Sequence, residues 1–257
     1  MTTEIRTIPG RVRLVMRAAW TFEHWVLVWL VIFTAFNILP WLAPVFMQVG
    51  LTPLADLIYG MYGLISHQFA HRSYFLFGEQ MMYTLSELPV ELTGDFGTEG
   101  DALRAIIGDE TLGYKIAWSD RLVNLFGGGL VTAYLYALLH RFGKAPRLPL
   151  ILMMLLVTPL IIDGTTHVMS EADGLADSWR YYNRWLVLPT GGALGGSFYI
   201  GDSIGSFNWW MRLLTGVLAG IGIMGWLLGI AKPYFERNTA ILQKRLVDWR
   251  ARQNKNS

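Results

Sequence analysis

Cysteine is absent from the 257 residues. This excludes disulfides, thiolate zinc sites, iron–sulfur ligation and a cysteine nucleophile, and it leaves the redox compartment open. Charge is scarce: 16% of residues are Asp, Glu, Lys or Arg, against about 25% in soluble domains. No G-x-x-x-x-G-K-[ST], G-x-S-x-G or HExxH pattern occurs, so a phosphate-cradling loop, a hydrolase elbow and a helical zinc-protease site are unsupported. What fills the chain is apolar. Hydrophobic residues make up 53%, with 11 Trp, 11 Tyr and 13 Phe, and the mean hydropathy is +0.36. Such a composition fits a bilayer with aromatic belts and excludes disorder.

A membrane-crossing helix needs about 20 mostly apolar residues. Four stretches qualify, at about 25–47, 121–140, 148–169 and 209–234. The first is longer than the apolar core of a signal peptide and no small-residue cleavage site precedes it, so it reads as an uncleaved span. Basic residues test the count. Residues 1–24, the turn 141–147 and the chain from Lys232 at the end of the last span onward hold 14 of the 21 Lys and Arg. The loops 48–120 and 170–208 hold 5, against 14 acidic residues. The positive-inside rule then places both termini in the cytoplasm and both long loops outside, for a multi-pass protein of the cell (inner) membrane. The expected fold is an all-α polytopic bundle of four transmembrane helices.

Residues 52–69 are apolar but contain Asp56, two glycines and His67. A full crossing would carry the acidic loop inside, so a short re-entrant or interfacial helix on the outer side is expected. Residues 86–117 read as extramembrane helical pieces, with a capping-box pattern at Thr98 and Asp101. Residues 190–206 read as a glycine-rich loop. The tail 236–257 is basic and amphipathic: Leu242, Leu246 and Trp249 share a face, which suits anionic lipid or a partner helix. Gly127–Gly129, Gly216-x-x-x-Gly220 and Gly225-x-x-x-Gly229 read as close-packing sites.

Ionisable groups within spans are costly and point to function. Asp163 lies about 22 Å along the third span from Leu148, with His167 one turn beyond it. Arg121 opens the second span with Asn124 one turn deeper; Arg212 opens the fourth with Thr215 one turn deeper. His67, Gln68 and Arg72 follow the re-entrant segment. The expectation is a polar cluster at the outer boundary, in which Asp163 pairs with Arg121, Arg212 or both. It either ties the spans together or forms a ligand pocket. One carboxylate facing two guanidiniums would leave positive charge for an anionic ligand or headgroup. His67, His71 and His167 are the imidazoles a metal could use, but the HxxxH spacing alone does not support one, and no metal is expected. The sequence names no cofactor and no catalytic residue. The bilayer and other membrane subunits are the partners it admits. Basic residues concentrated on one membrane side read as topology rather than as a nucleic-acid surface, and no nucleic-acid partner is expected.

Four elements in order carry a resemblance: Ser66-His67-Gln68 with Arg72-Ser73-Tyr74-Phe75-Leu76-Phe77-Gly78; Ser119-Asp120-Arg121 leading into a glycine-bearing span; Asp163-Gly164-Thr165-Thr166-His167; and Arg212-Leu213-Leu214-Thr215-Gly216. Over residues 55–235 the chain resembles an uncharacterised membrane family, domain of unknown function 2085. The resemblance implies a polytopic membrane protein and supplies no reaction. Ser66 and Ser119 stand where that family carries cysteines, which implies that the two positions are neighbours. The segment 81–118 is longer than the family's compact version. Two functions compete: a non-enzymatic accessory or assembly component, and a membrane enzyme acting on a lipid-linked or quinone-like anionic substrate.

Overall fold

The computed structural model describes residues 9–172, 174–175 and 178–255; Arg6 of the basic N-terminal segment lies outside them. Helix α1 (Gly10–Glu23) runs into α2 (Trp25–Gln48) through the single residue His24. A sharp turn leads to α3 (Thr52–Tyr62), which Pro53 opens in its first turn, where a missing N–H costs nothing. Next come strand β1 (Phe75–Leu76), helix α4 (Phe96–Ala105), and strands β2 (Gly108–Asp109) and β3 (Gly113–Lys115). Helices α5 (Asp120–Arg141) and α6 (Leu150–Ser170) follow. Three one-turn helices, α7 (Trp179–Tyr182), α8 (Val187–Thr190) and α9 (Gly196–Tyr199), lead to α10 (Phe207–Lys255).

Four helices, α2, α5, α6 and α10, are long and apolar enough to cross a membrane. Their surfaces follow the same logic: Ile151, Leu155 and Ile162 of α6 point large apolar side chains outward, which is stable only where the surrounding medium is itself apolar. Helix α10 is the central post, packing against α5, α6 and α1. At 49 residues it is about 73 Å long, more than twice the hydrocarbon thickness. Sequence reading ends the span near Tyr234 and begins a separate tail helix. Instead one helix continues through Pro233, whose missing donor frees a single carbonyl one turn back. Along the tail Leu242, Leu246 and Trp249 are half-buried while Lys244, Arg245 and Arg250 are exposed.

Helices α5 and α10 approach so closely that a Cβ built on Gly220 falls onto the carbonyl oxygen of Leu125 and to 2.7 Å from the Gly129 nitrogen. Both obstacles are backbone and cannot rotate away. Gly127, on the same helix as Gly129, has nothing within 4 Å of such a Cβ. The same substitution therefore has opposite outcomes. Gly220→Ala is expected to cost ~1–3 kcal/mol through overpacking. Gly127→Ala is expected to be neutral or to gain up to ~1 kcal/mol of helix propensity. Paired thermal melts in detergent check both, and equal melting temperatures would refute the packing.

Two expectations for residues 86–117 need correction. The segment contributes two strands of a three-stranded antiparallel sheet, ordered β1-β3-β2, with Phe75 opposite Lys115 and Gly108 opposite Tyr114. Strands of two and three residues carry too little alternation to be read from sequence. Also, α4 begins three residues before the expected turn. Its cap is Asp95, whose Oδ2 accepts from the Thr98 backbone N–H at 2.9 Å. Thr98 thus lies inside the first turn, where its own N–H needs a partner. The sheet and α4 enclose a small core around Phe69, Phe75, Leu85 and Leu103. A second core joins α2 and α3 to Trp118, and a third joins α2, α5 and α10 around Trp25, Phe33, Tyr136 and Met224.

Candidate functional site

The beginnings of α5 and α10 and the end of α6 meet at one end of the bundle, and the loops fold over them. Arg121 sits on the first turn of α5 and Arg212 on the second turn of α10. Asp163 and His167, four residues apart, share one face near the end of α6. A single turn at Ala70–Arg72 brings in His71 and Arg72. Helix α7 supplies Arg180. The turn after α9 supplies Asp202, preceded by Gly201 at φ +90°, a conformation that favours glycine.

These groups form two ionic chains. In the first, Arg121 Nη2 donates to Asp163 Oδ2 at 2.6 Å and Arg180 Nη2 donates to Asp163 Oδ1 at 2.7 Å. Arg180 also donates to Thr166 and Asn208. In the second, Arg212 Nε lies 2.9 and 2.8 Å from the two Asp120 oxygens, and its Nη1 reaches Asp202 Oδ1 at 2.7 Å. Arg72 completes that chain, pairing with Glu171 and reaching Asp202 Oδ2 at 3.2 Å. His167 bridges the two: Nδ1 lies 3.8 Å from Asp163 Oδ1 and Nε2 lies 3.6 Å from Asp202 Oδ1. His71 Nε2 sits 3.7 Å from Asp202 Oδ2.

Four guanidiniums thus face four carboxylates, and the lattice is neutral when both imidazoles are neutral. Within it the first chain carries one excess positive charge and the second one excess negative charge. Outside the spans the electrostatics follow directly. Burial opposes the Asp202 carboxylate, but Arg72 and Arg212 overcome this and hold it well below the usual range. Burial, with Arg72 beside it, pushes the His71 imidazole well below its ordinary value and keeps it neutral.

Of the residues expected here, Arg121, Asp163, His167, Arg72 and Arg212 come together. One carboxylate does face two guanidiniums, but Arg180 is the second, not Arg212. Arg212 points instead to Asp120 and Asp202, because those two carboxylates flank it on either side. His67 is exposed and stacks on Phe69 at 5.3 Å, outside the lattice. Gln68 spans Tyr59 and Ala117, donating to both carbonyls at 3.0 and 2.9 Å. The Thr215 hydroxyl donates back to Met211 of its own helix. Asn124 Nδ2 is buried with no partner among the described residues. Ser66 and Ser119 are neighbours, the Ser119 N–H donating to Ser66 Oγ at 3.2 Å.

Asp120, Glu171, Arg180 and Asp202 were not among the expected site residues. Arg180 is one of only two basic residues in the loop 170–208, and that isolation was the signal available for it. Asp120 directly precedes Arg121. Nothing local marks Glu171 or Asp202.

A cleft of about 80 Å³ opens at this end, lined by His67, Phe69, Arg72, Ser119, Asp120, Arg121 and Arg212. By volume it holds two or three waters or a small polar group. For a metal, the donor atoms of His167, Glu171 and Asp202 lie within 4.8 Å of one another. This set differs from the imidazole set read from sequence, since His67 lies outside it. Arg72 already neutralises both of its carboxylates, so a divalent ion would have to displace a guanidinium.

By fold the chain is an all-α bundle with four helices able to cross a membrane, tied at one end by a buried ionic lattice. Residues 111–226 match the family model described as predicted membrane protein, DUF2085. The match takes in Asp120, Arg121, Asp163, His167, Glu171, Arg180, Asp202 and Arg212, and begins beyond His71 and Arg72. No curated protein and no solved structure matches the chain.

Proposed function

We propose that the protein is a non-enzymatic accessory or assembly component of the cell (inner) membrane. In this reading both termini are cytoplasmic, and the ionic end faces outward, where it presents a small polar cleft to a ligand or partner subunit. The observation that carries the reading is the self-pairing of the lattice. Each of the four carboxylates has a guanidinium on it, so the chain spends its buried charges on fixing α5, α6, α10 and the loops relative to one another. The competing enzyme reading needs a lipid-accessible groove ending at His67, with Arg121 and Arg212 gripping an anion. Arg212 is occupied by two carboxylates and is 1% exposed. Two apolar grooves among the described residues, one between α2 and α10 and one reaching Gly129 and Gly220, share no lining residue with the cleft.

Arg121 is the residue to change. It lines the cleft, its side chain is 24% exposed, and Asp163 keeps Arg180 without it. Mild-detergent purification and native mass spectrometry should find a polypeptide or polar ligand on the wild type that is lost from Arg121→Gln while circular dichroism stays unchanged. Turnover of a lipid-linked or quinone-like substrate that vanishes in His67→Ala would overturn the reading.

A further inference from the structure

The far end of the bundle carries a pattern that the ionic lattice does not use. Arg13, Arg17, Thr21, Trp25, Trp29 and Phe33 recur every fourth residue along α1 and α2, which His24 separates, so they form a stripe that winds round the helix by about 40° per step. It begins with two exposed guanidiniums, passes through a hydroxyl and ends in three aromatic rings. An apolar groove of about 410 Å³ follows the stripe between α2 and α10, lined by Thr21, Trp25, Trp29, Leu227, Ala231 and Phe235 among others. A second lobe of about 220 Å³ extends it past Phe33 toward Gly129 and Gly220. The lobes share Trp29 and Leu227. From Thr21 to Phe33 the groove runs about 18 Å, close to half of a roughly 30 Å hydrocarbon core.

The groove has an open apolar side and about the length of one leaflet, and it ends at Thr21, with the exposed Arg17 and Arg13 one and two turns further along α1. Trp25, 5% exposed and stacked on Phe235 at 4.7 Å, lines it. The Trp25 indole Nε1 is buried with no hydrogen-bond partner among the described residues. We propose that this groove is a binding site for one anionic phospholipid, its acyl chain along Trp25, Trp29 and Phe33 and its phosphate toward Arg13 and Arg17. Charge complementarity selects an anionic lipid over a zwitterionic one. Shape selects a single chain over a helix, which is about 10 Å across and too wide for the volume available.

The test uses delipidated full-length protein in mild detergent, with phosphatidylglycerol or phosphatidylcholine added back at equal mole fraction. Native mass spectrometry is expected to show one lipid retained at energies that strip the rest, with phosphatidylglycerol favoured about tenfold. Val28→Phe fills the groove from α2 and should abolish retention. Ala231→Phe fills it from α10 and serves if the first variant misfolds. Arg13→Gln with Arg17→Gln leaves the groove intact and should reduce phosphatidylglycerol to the phosphatidylcholine level. Equal retention in the filled variants, no preference between the two lipids, or a second polypeptide displaced by filling the groove would each overturn the proposal.

Discussion

Replacing Arg212 with methionine is expected to destabilise the bundle by ~3–5 kcal/mol, the range for breaking a buried ion pair from one side. The guanidinium is 1% exposed and holds Asp120 and Asp202 together. Methionine fills similar volume, so the loss is electrostatic: two buried carboxylates lose the charge that offsets their desolvation. Asp202 retains Arg72, whereas Asp120 loses its only ion-pair partner among the described residues. At about 2–4 °C per kcal/mol for a domain of this size, the melting temperature in detergent should fall by ~10 °C. Adding Asp120→Asn removes the stranded charge and should recover part of the loss, which a double-mutant cycle reads directly. Arg121→Met is the control. It is partly exposed and Asp163 keeps Arg180, so its cost should stay near ~1 kcal/mol. Equal destabilisation by the two variants would mean that the lattice does not localise stability in the Arg212 pair.

How far the sequence discloses this site depends on where each charge lies. Arg121, Asp163 and Arg212 stand out because each occurs in or at the edge of an apolar run, where an ionisable group requires a reason. The helix period alone predicts that Asp163 and His167 share a face. The partners on loops carry no such mark. Glu171 and Asp202 lie in segments where acidic residues are common, and only the folded chain shows that Arg72 and Arg212 converge on Asp202. The exchange of Arg180 for Arg212 beside Asp163 follows from this: helix ends were legible, whereas the loop crossing above them was not. The small sheet escaped for a different reason. Its strands are held by Gly113, at φ +73°, and by backbone pairing with β1, neither of which leaves a hydrophobic alternation. The continuity of α10 was obscured by Pro233, which sequence rules treat as a terminator and which a helix packed along α1 tolerates.

Stability should rise with pH between about pH 7 and pH 9, and Lys115 should be responsible. Its side chain is 0% exposed, and Nζ donates to the carbonyls of Gln68 at 2.8 Å and Arg104 at 2.7 Å. No carboxylate forms an ion pair with it among the described residues. Two acceptors satisfy a neutral amine, which has two N–H groups, and leave one N–H of an ammonium unmet. Burial, with Arg104 nearby, accordingly pushes the Lys115 amine down from 10.5 to about 7. The sign follows from proton counting. Between about 7 and 10.5 the unfolded chain holds a proton on Lys115 that the folded chain has released, so raising the pH favours folding. As the pH falls through about 7 the folded state takes up the proton and that advantage is lost. Going from pH 7 to pH 9 should add ~2 kcal/mol, readable as a rising melting temperature in detergent. Lys115→Met removes the titrating group and should flatten the profile over this window. Because Nζ ties the Gln68 turn to the end of α4, the same protonation loosens the loops above the ionic lattice before it reaches the spans. Hydrogen exchange at pH 6 should therefore show faster opening at residues 66–72 and 104–107 than at pH 9, after correction for intrinsic rates, and Lys115→Met should remove the difference. Parallel pH profiles for wild type and Lys115→Met would show instead that the amine stays protonated in place.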